Sequence, residues 1–241
     1  MNKTENFVLS SLKSNRLVDG IRLRRIERRT VANTHDWEGY HRALKEFVPR
    51  TLPYQIYLNQ IWPEWKRLMD FLVREKPPKR ILEIGTGRGG STYFLTKLGG
   101  EGSLVVTVDA DPKAKEAVAL FGKHPGQRVY SVTGSSHDPL TVEKVAGVLR
   151  ETPVDLLYID GDHSYEGVKK DFELYKRFCG PKSIACFHDI IPDYGVTRNI
   201  QTEACTGEVY KFWAELKEQY EHLEFVEDHD QNGFGIGVIY F

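Results

Sequence analysis

The sequence predicts an α/β fold with a mostly parallel, seven-stranded sheet, a C-terminal antiparallel hairpin and an N-terminal helical appendage. From residue 80 onward, short apolar runs alternate with amphipathic segments, which is typical of parallel strands covered by helices on both faces. Near the C-terminus, the apolar runs 223–227 and 234–241 are separated by only six residues. Because a parallel crossover needs about a dozen residues, these two runs must pair as an antiparallel hairpin.

Five strands precede this hairpin, and their apolar runs place them at 81–84, 104–109, 128–132, 154–160 and 184–188. Helical patterns follow the first four of them, at 90–98, 112–121, 139–149 and 164–178, and a last helix is expected at 211–220. The polar segment 191–206 comes after the fifth strand. Its position makes it a candidate lid over a bound substrate.

Residues 1–79 show no strand pattern and form the predicted appendage, whereas 80–241 form the predicted sheet domain. We expect helices at 5–18, 35–48 and 56–75, the last ended by Pro77 and Pro78. The segment 21–30 holds five arginines, which favours a solvated or subunit-contacting helix face over steering of an acidic substrate. The appendage is therefore expected to act as a lid or as a contact in a homo-oligomer.

Composition excludes several classes of protein. A net charge of −1 gives no electrostatic argument for binding nucleic acid or a membrane surface. The three cysteines, Cys179, Cys186 and Cys205, are odd in number and lack the spacing of a disulfide framework or a C-x-x-C zinc site. The first ten residues lack the apolar run of a signal peptide, and no stretch approaches the ~18 apolar residues of a membrane span. We therefore expect a cytoplasmic protein.

The segment 80–92 (RILEIGTGRGGST) carries the strongest functional signal. It reads as a buried strand, then a turn whose glycines Gly85, Gly87 and Gly90 fit G-x-G-x-x-G, then a helix N-terminus. Nicotinamide enzymes and methyltransferases both use such a turn. The acidic Glu83 beside it favours a positively charged ligand over a pyrophosphate, which helix N-termini bind. The segment resembles motif I of class I S-adenosylmethionine-dependent methyltransferases, which implies their Rossmann-like fold.

That resemblance implies an S-adenosylmethionine site at the carboxyl ends of the first strands. Asp109 ends the second strand about 20 residues after the turn, where an acid can accept hydrogen bonds from both ribose hydroxyls. Ser136 and His137 match the adenine-contacting segment of small-molecule O-methyltransferases, although a helix cap would also explain them. The predicted cofactor-binding residues are Glu83, Gly85, Thr86, Gly87, Gly90, Ser91, Asp109, Ala110, Ser135, Ser136, His137 and Asp160.

Two further segments, YIDGDHSYEGV at 158–168 and FHDI at 187–190, end the fourth and fifth strands. If these strands are neighbours, Asp160 and Asp189 meet at one edge as paired carboxylates suited to Mg²⁺. The segments resemble the family of cephalosporin-hydroxylase-like proteins and macrolide- and rhamnose-type sugar O-methyltransferases. The resemblance implies that Asp160 and Asp189 are metal ligands and that His163 is the catalytic base, acting beside Asp160.

His188 stands where related sugar O-methyltransferases have a glutamate, so it is a further candidate metal ligand. A histidine nitrogen suits Mn²⁺, Fe²⁺ or Zn²⁺ better than Mg²⁺. Adjacent residues of a strand point to opposite faces, so His188 and Asp189 need not both face the site.

The sequence thus predicts an S-adenosylmethionine-dependent O-methyltransferase that acts on a hydroxyl of a small molecule, such as a sugar or a natural product, with Mg²⁺ or another divalent metal. Three further functions remain open. Asp160, His163 and His188 contain the two-histidine, one-carboxylate set of a non-haem-iron hydroxylase. The glycine turn also fits a nicotinamide oxidoreductase, although that class normally has a fully parallel sheet. The third is a partner protein that binds the cofactor without turnover.

Overall fold

The computed structural model describes residues 3–121, 123–204 and 206–241, with side chains from Arg16 onward. Its centre is a seven-stranded sheet, and the strands are β1 (Arg80–Ile84), β2 (Leu104–Asp109), β3 (Arg128–Thr133), β4 (Val154–Ile159), β5 (Cys179–His188), β6 (His222–Phe225) and β7 (Ile236–Tyr240). They lie in the order β3-β2-β1-β4-β5-β7-β6. The strands β1 to β5 pair in parallel, whereas β7 pairs antiparallel with both β5 and β6. The predicted mixed sheet and C-terminal hairpin are confirmed.

The strand order reverses between β1 and β4. From β1 the chain moves outward to β2 and β3, then returns to pair β4 on the other side of β1. Ligands of open α/β sheets bind at such a switch point, outside the carboxyl ends of the strands. The glycine turn after β1 and the acidic segment after β4 therefore lie side by side.

The helices are α1 (Lys3–Thr30), α2 (Trp37–Glu46), α3 (Trp62–Glu75), α4 (Gly90–Gly99), α5 (Ala114–Val118), α6 (Pro139–Leu149), α7 (Tyr165–Tyr175), α8 (Tyr194–Thr197) and α9 (Val209–Gln219). The two largest departures from the expected helices are in the N-terminal part of the chain. The first helix does not end at residue 18, because Leu23 and Ile26 continue its buried face. The third begins at Trp62 rather than at 56, because Pro63 occupies its first turn, the position that proline favours.

Each face of the sheet carries its own hydrophobic core, because successive strand residues point to opposite sides. Ile81 and Tyr158 belong to the core formed with the N-terminal helices and α4. Leu82 and Leu157 belong to the core formed with α6, α7 and α9. Trp65 of α3 is fully buried and packs edge-to-face on Tyr158 of β4, with ring centroids 5.5 Å apart. The predicted appendage thus covers one face of the sheet.

Two further sequence expectations concern membrane spans and cysteines. In the described part of the chain, no helix combines the length and the apolar character needed to cross a membrane. Cys179 and Cys186 are free thiols, and Cys205 lies outside the described residues. The candidate lid, 191–206, contains the short helix α8 and is otherwise irregular in its described part.

Candidate active site

The glycine turn after β1 is held between two neighbouring strands. Gly85 donates its N–H to the carbonyl of Val108 at 2.9 Å, and the Asp160 N–H donates to the carbonyl of Ile84 at 2.8 Å. Gly85 has a φ of +94°, and a Cβ on it would lie 1.9 Å from the Asp160 carbonyl oxygen. Only glycine permits both this backbone angle and this close approach.

Glu83 lies beneath the turn and is fully buried. Its carboxylate accepts hydrogen bonds from the hydroxyls of Ser91 at 2.6 Å, Thr92 at 2.5 Å and Thr107 at 2.6 Å. Burial raises the pKa of Glu83 to about 7, although the three hydroxyls oppose this rise. The side chain therefore joins the start of α4 to β2. Its predicted contact with the cofactor stays a prediction, because Glu83 does not line the neighbouring cavities.

A cavity of about 330 Å³ opens at the carboxyl ends of β1, β2 and β4. It is lined by many of the predicted cofactor-binding residues, namely Gly85, Gly87, Asp109, Ala110, Ser135, Ser136, His137 and Asp160. A second cavity of about 180 Å³ shares Gly85, Gly87 and Asp160 with the first. It adds the predicted residues Thr86, Gly90 and Ser91. Apart from Glu83, the residues predicted for the cofactor therefore surround two cavities that meet at Asp160.

Backbone contacts fix the carboxylate of Asp109 at the rim of the larger cavity. Its Oδ2 accepts the N–H of Gly87 and its Oδ1 accepts the N–H of Asp111, both at 2.7 Å. Each carboxylate oxygen has a second lone pair, so Asp109 can still accept hydrogen bonds from a ligand. This placement agrees with its predicted role at a ribose.

His137 lines the same cavity and lies beside Asp171, which was not among the predicted site residues. Its Nε2 lies 3.1 Å from Oδ1 of Asp171 and 3.2 Å from the carbonyl oxygen of Gly167. Asp171 is fully buried, and burial raises the pKa of its carboxyl group. An available signal was an acid between Val168 and Phe172 on the buried face of α7.

A polar cluster, formed by Asp160, His163, His188 and Asp189, lies where β4 and β5 end. Oδ1 of Asp160 lies 3.1 Å from Nε2 of His163 and 3.2 Å from Nδ1 of His188. Oδ2 of Asp189 lies 3.2 Å from Nδ1 of His163, and its Oδ1 lies 3.4 Å from Nδ1 of His188. The four residues that the sequence indicated for catalysis and metal binding are thus neighbours.

The backbone at Asp189 explains how two adjacent residues both reach this cluster. Asp189 has a φ of +63°, in the left-handed region that non-glycine residues avoid at a cost of about 1–2 kcal/mol. The strand alternation therefore stops after His188, and the next side chain turns back to the same edge. Strained backbone of this kind is concentrated at functional sites.

The cluster brings acidic and basic side chains together in a largely buried space. Burial by itself would lower the pKa of His188, but Asp160 and Asp189 raise it well above its ordinary value. Burial likewise opposes ionisation of Asp160, yet His188 and His163 hold its pKa below the usual range. Asp160 and His188 therefore each favour the charged form of the other.

The donor set fits a divalent cation. One ligand atom each from Asp160, His163 and Asp189 lies within 4.8 Å of the other two. Two carboxylate oxygens and an imidazole nitrogen suit Mn²⁺ and are compatible with Mg²⁺. The predicted role of His188 as a ligand stays a prediction, since its Nδ1 faces the two carboxylates. Its Nε2 is buried without a hydrogen-bond partner among the described residues.

The extended segment 56–61 was missed as part of the site because the sequence pattern placed it in a helix. Tyr57, Asn59 and Gln60 line the smaller cavity together with His163. Nε2 of Gln60 donates a hydrogen bond of 3.1 Å to Oδ2 of Asp160, across 100 residues of sequence. Pro63, as a mark of the helix start, was the available signal that this segment lies outside α3.

The comparisons with known proteins agree with this architecture. Residues 82–190 match the family model described as a methyltransferase domain. An uncharacterized protein, y4gI, of Sinorhizobium fredii is 26% identical over 202 residues, which is 80% of this chain and 20% of that protein. Catechol O-methyltransferase of Mycobacterium tuberculosis is 37% identical over 86 residues, or 35% of this chain and 36% of that enzyme. The chain thus spans well under half the length of these two relatives.

Among solved structures, an O-methyltransferase from Bacillus cereus in complex with SAH superposes with a TM-score of 0.56. Its sequence identity is 18%, and the match covers 77% of this chain and 84% of that one. This likeness shows the shared fold. The predicted resemblance to class I methyltransferases is confirmed, and residues 82–190 of this chain match the methyltransferase domain model.

Proposed function

We propose that this protein is an S-adenosylmethionine-dependent O-methyltransferase that acts on a small-molecule hydroxyl with the help of a divalent cation. The observation that carries the proposal is the meeting of two cavities at Asp160. One is lined by the residues predicted for the cofactor, and the other contains His163 beside a donor set that fits a cation. The similar proteins from Mycobacterium tuberculosis and Bacillus cereus are O-methyltransferases, which supports oxygen as the methylated atom.

The chemistry asks the chain mainly to position two reactants. The methyl group of S-adenosylmethionine is already activated, so the enzyme must align a hydroxyl oxygen with the methyl carbon. Asp109 would hold the ribose, and the glycine turn would let the cofactor lie against the backbone. A divalent cation held by the carboxylates of Asp160 and Asp189 would lower the pKa of the acceptor hydroxyl.

His163 is the residue best placed to accept the hydroxyl proton. It lines the smaller cavity, and its two ring nitrogens lie near Asp160 and Asp189. Two neighbouring carboxylates stabilise the protonated ring, because both of its nitrogens then donate. A general base of this kind contributes roughly 10²–10⁴ to the rate.

The nature of the acceptor and the assembly are parts of the same proposal. The resemblance of 158–168 to sugar-modifying enzymes favours a sugar or natural-product hydroxyl, and Tyr57 and Asn59 offer aromatic and amide contacts beside it. Exposed Leu17, Val18 and Ile21 on α1 support the homo-oligomer. Light scattering that gave a particle of 27.7 kDa would contradict the oligomer.

The testing experiment is a thermal melt with S-adenosylhomocysteine or NAD, each with and without Mg²⁺ or Mn²⁺. At ~100 times its Kd, a ligand stabilises by about 2.7 kcal/mol, which raises Tm by roughly 5–10 °C here. We expect a shift with S-adenosylhomocysteine and a further increment with metal. A shift with NAD alone would contradict the proposal and favour a nicotinamide enzyme.

Two assays distinguish the methyltransferase from the hydroxylase and from the partner protein. A panel of hydroxylated acceptors, with S-adenosylmethionine and Mn²⁺, should yield methylated product. Binding of the cofactor without product from any acceptor would favour a partner protein without turnover. Oxygen consumption with Fe²⁺ and no methyl transfer would favour the hydroxylase.

A further inference from the structure

We propose that Gln60 is a further ligand of the divalent cation, supplied by the N-terminal segment through the amide oxygen of its side chain. This inference rests on the proposed function, in which Asp160 and Asp189 hold a cation. It adds a ligand that comes from outside the two strand ends. It also gives the segment 56–61 a chemical role.

Among the described residues, only the amide nitrogen of the Gln60 side chain has a hydrogen-bond partner. Its Nε2 donates to Oδ2 of Asp160 at 3.1 Å, while its Oε1 is buried and has no hydrogen-bond partner within the described part of the chain. A carboxylate only accepts hydrogen bonds, so an amide beside it must present its NH₂ group. The carbonyl of Gln60 is thereby left unpaired, which a buried polar atom rarely is.

A cation beside Asp160 would favour the opposite orientation of the Gln60 amide, with its oxygen rather than its nitrogen toward Asp160. A half-turn about the last side-chain torsion exchanges Oε1 and Nε2, and this torsion is broad and roughly two-fold. The amide oxygen would then face the cation, as carbonyl oxygens do in Mg²⁺ and Ca²⁺ sites.

The observed distance fits this exchange. Two oxygen ligands at about 2.1 Å from one cation, set at right angles in an octahedron, lie about 3.0 Å apart. The amide nitrogen of Gln60 is 3.1 Å from Oδ2 of Asp160. An amide oxygen at that position could share a cation with Oδ2 without movement of the backbone.

The contact would also link the cation to the cofactor turn. The segment that carries Gln60 lies against the start of α4, since a Cβ on Gly90 would come within 2.1 Å of the Tyr57 carbonyl oxygen. Tyr57, Asn59 and Gln60 line the cavity that also contains Gly85 and His163. A cation bound by Gln60 would therefore fix the N-terminal segment over the acceptor side of the site.

The test is a Mn²⁺ titration of the full chain, followed by electron paramagnetic resonance and by calorimetry. Gln60→Leu keeps the size of the side chain and removes both polar atoms, so we expect the Kd for Mn²⁺ to rise about 10-fold or more. Gln60→Glu supplies a better oxygen ligand and should bind Mn²⁺ at least as tightly as the wild type. Gln55→Leu, in the exposed part of the same connection, is the matched control and should leave the Kd unchanged.

Two results would overturn the proposal. One is a Gln60→Leu Kd within twofold of the wild type. The other is an equal weakening by Gln60→Leu and Gln60→Glu, because a glutamate cannot donate to Asp160 and the glutamine would then act only as a hydrogen-bond donor. If Gln60→Leu fails to fold, the Gln60→Glu titration alone decides between ligand and donor.

The melt with S-adenosylhomocysteine keeps this inference separate from the proposed function. A wild-type protein that binds S-adenosylhomocysteine but no Mn²⁺ overturns the role of Gln60 and leaves a methyltransferase without a cation. A protein that binds Mn²⁺ with the expected variant pattern but no S-adenosylhomocysteine supports the ligand role and contradicts the methyltransferase proposal.

Discussion

Two carboxylates, the fully buried Glu83 on β1 and the largely buried Asp160 just after β4, have pKa values shifted in opposite directions. Glu83 on β1 lies among hydroxyls, and burial raises its pKa to about 7. Asp160, just after β4, lies between two imidazoles that hold its pKa below the usual range. Burial disfavours the charge of both groups, so the partners decide the outcome. When the surroundings of two titratable groups move their pKa values apart, the two groups usually have different roles in a site.

The two sides of the proposed site differ in the same way. The hydroxyls around Glu83 fix the glycine turn and the start of α4 with little need for a full charge. The cluster around Asp160 keeps a carboxylate ionised at the place where a cation and an acceptor would bind. We therefore expect binding on the cofactor side to depend mainly on the shape of the glycine turn. We expect binding on the acceptor side to depend mainly on the charge of Asp160.

Asp160→Asn should give the largest effect, because it removes the charge from the acceptor side and keeps the shape. The neutral amide would no longer stabilise His163 and His188, and it is a poorer ligand for a cation. We expect methyl transfer to fall about 10³-fold, the upper range for removal of one electrostatic contact to the transition state. Steady-state kinetics with saturating cofactor measures this, and a loss of less than tenfold would contradict the assigned role.

Glu83→Gln tests the other carboxylate through pH. A carboxyl group whose pKa is raised in the folded protein contributes stability that is present below its unfolded pKa, about 4.5, and lost as pH rises through 7. Between pH 5 and pH 8, the wild type should lose roughly 2–3 kcal/mol more unfolding free energy than Glu83→Gln. Urea unfolding at the two pH values measures the difference.

Comparing the pH dependence of the unfolding free energy of the wild type with that of Glu83→Gln separates the effect of Glu83 from that of the other buried groups. The raised pKa of His188 also removes stability as pH rises, but it does so equally in the wild type and in the variant. Parallel pH profiles for the two proteins would mean that the three hydroxyls keep Glu83 ionised in the folded state. The contrast between the two carboxylates would then disappear.

The positions of the glycine turn and of Asp109 could be predicted because both belong to short motifs at strand ends. The turn Gly85–Gly90 and the acid Asp109 occupy the positions that their spacing indicates, at the rim of one cavity. The position of Glu83 could not be predicted, since one of its partners, Thr107, lies 24 residues away on β2. A motif places a residue near a turn and does not say which way its side chain points.

The acceptor side depended on contacts that no local pattern contains. Gln60 meets Asp160 across 100 residues of sequence. His188 and Asp189 share one site because of a left-handed residue, which a strand pattern does not anticipate. The sequence indicated which residues form this cluster, and only the tertiary structure gave its geometry.

Gly90→Ala should disturb the contact between the glycine turn and the segment 56–61. The new Cβ would lie 2.1 Å from the carbonyl oxygen of Tyr57, a backbone atom, so the segment 56–61 must move. We expect the unfolding free energy to fall by about 1–3 kcal/mol, as for other overpacked sites. Affinity for Mn²⁺ should fall together with it, because Gln60 lies on the displaced segment.

Gly147→Ala is the matched control for that change. Gly147 lies inside α6, and a Cβ added to it would meet no atom within 4 Å, so alanine should stabilise the helix by about 0.5–1 kcal/mol. Urea unfolding of both variants measures whether each substitution lowers or raises the unfolding free energy. A Gly90→Ala protein as stable as Gly147→Ala would mean that the segment 56–61 does not press on the glycine turn.

Asp109→Asn should give the smallest effect and confine it to the cofactor side. Both oxygens of Asp109 accept backbone N–H groups, from Gly87 and Asp111, and an amide can accept only one of them. The loss of one such hydrogen bond and of one acceptor for the ribose should raise the Kd for S-adenosylhomocysteine about 10-fold, or ~1.4 kcal/mol. Methyl transfer at saturating cofactor should stay near the wild-type rate, because the charge around Asp160 is untouched. Calorimetry and kcat measured on one preparation separate the two quantities. A large loss of kcat with an unchanged Kd would mean that the two sides of the site are not independent, and that shape at the ribose controls the chemistry at the cation.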